Sequence, residues 1–286
     1  FIKKGKIVEI GKSLDVKGKF EEIKSKDLQV SPGWLDMRAS FGEPGYEEKE
    51  TLDSGRKAAA AGGFTAVCIA PNTFPVMDSR AGVEFFVSKN GTHPVDLYPI
   101  GALSQGMKGD NLSEMYNMKL AGAVAFSNYK NSIENAKFMQ LALEYANGID
   151  TTLIAFAQDE KISGSAQVNE GENSTRLGLK GIPHLAEELR VNRDIYLTKY
   201  TEGKLHFAGL SSAKSLEVIA KAKKDGLSIT CDVSATQLVL NDNCLEEFDS
   251  NYKVQPPIRI ENDRKVLINS ILNGKIDVVC SDHAPQ

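Results

Sequence analysis

The stretch from Lys204 to Val233, KLHFAGLSSAKSLEVIAKAKKDGLSITCDV, decides the fold. It opens on a short apolar run, Lys204–Ala208, and turns through glycine and serine. Apolar residues then recur at helical spacing over Ala213–Lys224, with Leu216, Ile219 and Ala220 on one face. Gly226 stands where that helix should stop, and a second apolar run, Ser228–Val233, follows it. Strand, helix, strand in this rhythm is the repeating unit of a parallel sheet.

Working outward, the same unit recurs from about residue 31. Apolar runs predict strands at Trp34–Met37, Phe64–Ala70, Val95–Gly101, Ala123–Phe126, Thr152–Phe156, Lys204–Ala208, Ser228–Val233 and Asp277–Ser281. Seven of these eight have a helix candidate after them, the clearest being Thr51–Ala61, Ile133–Ala146, Pro183–Tyr200, Ala213–Lys224 and Asn262–Leu272. Gly62, Gly203, Gly226 and Gly274 sit where helices should end on a left-handed residue. Eight strands over about 250 residues predict a TIM (β/α)8 barrel spanning 31–286. An open doubly wound sheet shares the alternation, but no glycine-rich phosphate loop follows the first strand. The barrel lacks its last helix, because the sequence stops at Gln286 just after the eighth strand. A parallel strand needs both faces covered, so a further C-terminal part is expected. Residues 1–30 alternate apolar and polar around glycine turns (Ile7, Val8 and Ile10, then Leu28 and Val30), which predicts a small β appendage.

The bulk properties narrow the function. With 286 residues, 41% hydrophobic and 25% charged, the chain can bury a substantial core. A net charge of −4 and a pI near 5.7 argue against a nucleic-acid partner, which needs a basic surface. The cysteines Cys68, Cys231, Cys244 and Cys280 form no CxxC pair or disulfide framework, so a reducing cytoplasm is expected, with Cys68 and Cys280 as small buried hydrophobes. No apolar run is long enough to span a membrane, and the opening FIKKGKIVEIG does not read as a signal peptide. A homo-oligomer, by default a dimer, is the expectation for such a protein.

Functional residues of a barrel gather at the C-terminal ends of its strands. Strand one ends Asp36-Met37-Arg38-Ala39-Ser40-Phe41-Gly42-Glu43-Pro44-Gly45, and a period of two aims Arg38 and Ser40 at the barrel mouth together. Strand two ends on Asn72 and strand four on Ser127-Asn128; strand five carries Phe156, strand six His206 to Ser211, and strand eight Cys280-Ser281-Asp282-His283. Asp282 and His283 are adjacent, so they should face opposite ways. His206 reads as a packed core histidine on the far side from Gly209, and His93 and His184 read as solvated.

The segments VSPGWLDM, EPGYEEKETLDSGRKAAAAGGFTAVCIAPNT, GAVAFS, GLKGIPHLAEE, KVQPPIR and DVVCSDHAP, in this order, resemble the blocks of dihydroorotases in the amidohydrolase superfamily. The resemblance runs from residue 7 to the end. It implies a TIM barrel with a small β-sandwich built from both chain ends, residues 1–30 being one part. It also implies interconversion of dihydroorotate and N-carbamoyl-aspartate in pyrimidine synthesis. Such an enzyme needs a divalent cation, usually zinc, held largely by imidazoles to supply hydroxide and polarise the amide.

Here the family's metal positions are degenerate. The HxHxREPG pattern becomes Arg38-Ala39-Ser40-Phe41-Gly42-Glu43-Pro44-Gly45, which removes both ligands and, at Gly42, the arginine that grips the substrate carboxylate. Asn128, Phe156 and Gly209 stand at three further ligand positions, so five of six are altered and Asp282 alone remains. One carboxylate does not hold zinc, so no metal cofactor is expected. Asn72 matches a substrate-contacting asparagine and Asp282 the general base, now vestigial. Gln255 replaces an asparagine, and Gln286 the final histidine of DHAPH.

The reading is a non-catalytic dihydroorotase paralogue that acts by binding, with aspartate transcarbamoylase as the partner the family implies. The alternative is a working dihydroorotase or cyclic amidohydrolase with an altered metal site. A sensor that binds dihydroorotate or N-carbamoyl-aspartate in the vestigial pocket is a third possibility.

Overall fold

The computed structural model describes residues 1–91 and 93–285. They fall into two units, Phe1–Pro32 and the remainder from Gly33. In the first, β1 (Ile2–Lys3) and β2 (Lys6–Ile7) form an antiparallel ribbon. Lys4 and Gly5 turn it, both at positive φ. The strand pattern around Leu28 and Val30 does not become a strand, since no described segment lies beside it to complete a ladder.

The second unit is a (β/α)8 barrel. In chain order it runs β3 (Trp34–Ala39), α1 (Leu52–Ala61), β4 (Phe64–Ile69), α2 (Arg80–Val87), β5 (Asp96–Ala102), α3 (Met115–Ala121), β6 (Ala125–Ser127), α4 (Ala136–Gly148) and β7 (Leu153–Phe156). An excursion follows, made of α5 (Glu160–Ser163), β8 (Val168–Asn169), α6 (Glu172–Arg176) and β9 (Gly181–Ile182). The barrel resumes with α7 (His184–Thr201), β10 (Leu205–Ala208), α8 (Ala213–Lys224), β11 (Ile229–Ser234), α9 (Ala235–Val239), α10 (Glu261–Leu272) and β12 (Val278–Cys280).

The eight barrel strands pair in parallel in the order β3-β4-β5-β6-β7-β10-β11-β12. The two outer strands then meet. Ala39 bridges His283, the Ser40 N–H donates to the His283 carbonyl at 2.8 Å, and the Ser281 hydroxyl donates to Asp36. All eight expected strands are present within two or three residues at each end, and α8 has the expected bounds.

Alternation along each strand sorts its side chains into two layers. On β10, Leu205 and Phe207 join the large core between strands and helices, while Ala208 joins Cys68, Ile100, Ala125 and Ile154 inside the barrel. Helix ends follow local chemistry. α1 starts on a capping box in which the Thr51 hydroxyl accepts from the Ser54 N–H and the Ser54 hydroxyl accepts from the Thr51 N–H. Two of the expected glycine stops are displaced by one residue. The left-handed position after α1 falls on Gly63, and the one after α7 on Glu202 rather than Gly203. Among the described residues, no helix is long and apolar enough to cross a membrane.

Candidate functional site

The C-terminal strand ends surround a cavity of about 740 Å3, and Ser40, Asn72, Gln255 and Asp282 all line it. Beneath it lies Arg38, only 6% exposed. Its guanidinium bridges two carboxylates, with Nη2 3.2 Å from Asp232 Oδ1 and Nε 3.2 Å from Asp282 Oδ1. The Asp282 contact is coulombic, since neither Arg38 Nε nor Asp282 Oδ1 makes a hydrogen bond. Asp282 Oδ2 instead accepts a hydrogen bond from Lys130 Nζ at 2.9 Å. Two cations and two anions thus form one compact, charge-balanced cluster.

Asp232 is the hub. It is 1% exposed and sits on β11 facing the barrel interior. Its Oδ1 accepts from the Gly209 N–H at 2.7 Å and from the Cys280 thiol at 3.3 Å, and its Oδ2 lies 3.0 Å from His206 Nε2. The other ring nitrogen of His206 lies 2.8 Å from the Thr230 hydroxyl. Burial alone would raise the Asp232 carboxyl, but Arg38, His206 and the Gly209 N–H hold it down at about 2. Burial would lower the pKa of the Arg38 guanidinium, but the Asp232 and Asp282 carboxylates hold it firmly charged. Burial also pushes the Cys280 thiol and the Tyr129 phenol up, so neither ionises in this cluster near neutral pH.

The remaining expected positions divide. Ser40 and Asn72 are joined, the Asn72 amide donating to the Ser40 hydroxyl at 2.8 Å. Asn128 and Phe156 do not line the cavity. The Asn128 side chain is spent on Ser104, accepting from its N–H at 3.1 Å and donating to its hydroxyl at 2.7 Å, and Phe156 is buried. Gly42 has no room for a side chain, as a Cβ would lie 2.0 Å from the Tyr46 carbonyl oxygen. Gln286 lies outside the described residues.

Two histidine readings are corrected. His206 and Gly209 were expected on opposite sides of their strand, yet both reach Asp232. The strand ends at Ala208, and Gly209 at φ +65° breaks the period of two and turns its N–H inward. His184 is not merely solvated, because its Nε2 lies 2.8 Å from Asp263 Oδ2 at the start of α7. His283, as expected, turns away from Asp282 and meets Glu50 at 2.8 Å.

Sequence reasoning missed Asp232, Lys130 and the role of His206. Asp232 did leave a signal: an acidic residue inside an apolar strand must find a partner when buried. Lys130 left none, since Tyr129 at φ +54° sets the direction of its loop.

The cluster does not fit a divalent cation. A metal between Asp232 and Asp282 would share its place with a guanidinium, Gly209 offers no side-chain donor, and a Cβ there would lie 2.9 Å from Arg38 Nη1. Among the described residues no three His, Cys, Asp or Glu side chains are grouped to hold a metal ion. What the arrangement offers is a fixed, neutralised floor under an open polar cavity.

Residues 28–215 match the family described as Dihydro-orotase-like. The chain is 39% identical over 286 residues to a dihydroorotase of Geobacter metallireducens, covering 100% of this chain and 68% of that protein. It is 40% identical over 283 residues to one of Ruminiclostridium cellulolyticum, covering 99% and 66% respectively. Among solved structures, it is similar to the L-hydantoinase (dihydropyrimidinase) of Arthrobacter aurescens, with TM-score 0.76 and 20% identity over 89% of this chain and 58% of that one. It is also similar to a D-hydantoinase (dihydropyrimidinase) of a Thermus species, with TM-score 0.71, 20% identity and the same coverage. The chain therefore spans about two thirds of these dihydroorotases and less of the hydantoinases.

Proposed function

Since the chain belongs to the dihydroorotase family, we propose that it is a metal-free, non-catalytic member in pyrimidine biosynthesis that acts by binding. The observation that carries this reading is Arg38. Its guanidinium lies against both Asp232 and Asp282, so the positive charge a hydrolytic metal would bring is supplied by a side chain that cannot activate water. Lys130 takes the remaining oxygen of Asp282, the cavity-lining carboxylate at the position expected for the general base. The free cysteines are in keeping with a reducing cytoplasm. Aspartate transcarbamoylase is the partner proposed for the binding role, and a homo-oligomer its form.

Metal analysis of the purified protein, with dihydroorotate turnover measured before and after zinc addition, tests the first part. Metal far below stoichiometric and no turnover in either state are expected. Stoichiometric zinc with turnover would instead establish a working cyclic amidohydrolase with an altered metal site. Co-purification with aspartate transcarbamoylase tests the second part, and a failure to associate removes the scaffold role.

A further inference from the structure

The cavity at the barrel mouth has a charge unlike that of the chain. The chain is net −4, yet the cavity wall carries Lys49, Lys130 and Lys253 against Asp282 alone. Asp282 is already engaged by Arg38 and Lys130. Lys49 and Lys253 pair with no carboxylate among the described residues. An uncompensated positive lining focuses anions into a cleft.

The rim is aromatic. Phe74 lines the cavity with 66% of its surface exposed, and its ring centroid lies 6.5 Å from that of Tyr46 with the planes inclined at 55°. The Lys49 ammonium lies over the Tyr46 ring, 5.3 Å from its centroid, which sets positive charge on the aromatic rim. At about 740 Å3 the space falls within the range that encloses whole drug-sized ligands.

The kind of anion follows from the donors. No arginine fork lines the cavity among the described residues to grip a planar carboxylate in bidentate fashion, whereas lysines bind phosphate as mobile point charges without needing that geometry. Gly42 leaves no room for a side chain of any kind, and Arg38 lies below the cavity with its charge spent on Asp232 and Asp282. We infer that this cavity binds a phosphate monoester carrying a planar ring, of nucleoside-monophosphate size, with the ring on the Phe74–Tyr46 rim and the phosphate among the lysines. The inference rests on the metal-free reading only in needing the Arg38–Asp282–Lys130 cluster to stay in place.

The test is calorimetry and thermal shift on the full chain with UMP, AMP, inorganic phosphate and dihydroorotate as separate probes. At least one nucleotide should bind saturably near one per chain and raise the melting temperature, with inorganic phosphate about tenfold weaker or worse. The double variant Lys49→Met/Lys253→Met should keep its unliganded melting temperature, since both residues are outside the core, and bind that nucleotide at least about tenfold more weakly. Phe74→Ser should weaken the nucleotide while leaving inorganic phosphate unchanged. Failure of both nucleotides to shift melting at millimolar concentration would overturn the inference, as would equal binding by the double variant. Dihydroorotate binding more tightly than either nucleotide would also overturn it, in favour of a carboxylate ligand. Zinc content and turnover on the same preparation keep the two readings separable, because nucleotide binding can fail in a protein that is still metal-free and inactive.

Discussion

Arg38→Met is the sharpest perturbation of the site. The side chain is buried, and its removal strands Asp232, 1% exposed, with only His206, Cys280 and the Gly209 N–H to stabilise its charge. Removing one member of a buried ion pair costs about 3–5 kcal/mol near pH 7. The pH dependence adds a sign. In the intact protein the Asp232 carboxyl is lowered from 3.8 to about 2, so it contributes on the order of 2 kcal/mol above pH 3.8. That contribution is lost as pH falls through about 2. Without Arg38, burial is the largest influence left and raises the carboxyl, so the folded variant prefers the proton. Its stability should therefore rise relative to the parent as pH falls, and the gap between them should narrow in acid. Urea unfolding of both proteins between about pH 7 and about pH 4.5 measures this difference; carboxylates away from Arg38 cancel, and Asp282, which also loses Arg38, is controlled by repeating the pair in an Asp282→Asn background. In an Asp232→Asn background the cost of Arg38→Met should drop by about 2 kcal/mol or more, because the amide keeps the Gly209 bond without the charge. A cost below about 1 kcal/mol at neutral pH, or a gap that does not change with pH, would refute the cluster as described.

Three further predictions follow from the same packing. Gly209→His places a side chain at φ +65° with its Cβ 2.9 Å from Arg38 Nη1, and should destabilise by about 2 kcal/mol or more by calorimetry, much less when Arg38→Ala has cleared the space. Asp194 is buried, and burial raises its carboxyl to about 6, so the stability it confers when protonated is complete below pH 3.8 and lost as pH rises through about 6. Asp194→Asn should accordingly gain about 3 kcal/mol relative to the parent between pH 4 and pH 7, read from urea midpoints. Arg259 donates to the Ser211 hydroxyl at 3.0 Å, to the Asn169 side chain at 3.0 Å and to the Ile182 carbonyl at 2.8 Å, tying β8 and β9 to the barrel. Arg259→Met should cost about 2 kcal/mol or more, from the buried acceptors left unpaired, and speed hydrogen exchange at Val168–Asn169 and Gly181–Ile182 more than on β10.

The barrel was legible because its strands are mostly apolar runs, such as Leu205–Ala208, buried throughout with His206 as its one polar residue. The strands expected near Leu28 and Val30 were not, since a half-buried pattern specifies a strand only where a neighbour supplies the ladder. At the site, period two alone brought Arg38 and Ser40 to one end of the barrel. Lys130 escaped that logic, as Tyr129 at φ +54° takes left-handed backbone that residue type does not announce. The deeper obstacle is that positions read one at a time register only as losses. Arg38 and Gly209 look like two separate missing ligands, yet the Arg38 guanidinium occupies space that any side chain at 209 would invade. Asp232, hidden among apolar neighbours on β11, then needs that guanidinium to stay ionised. The three residues depend on one another: the Arg38 guanidinium has its room because position 209 is glycine, and Asp232 both neutralises that guanidinium and is kept ionised by it.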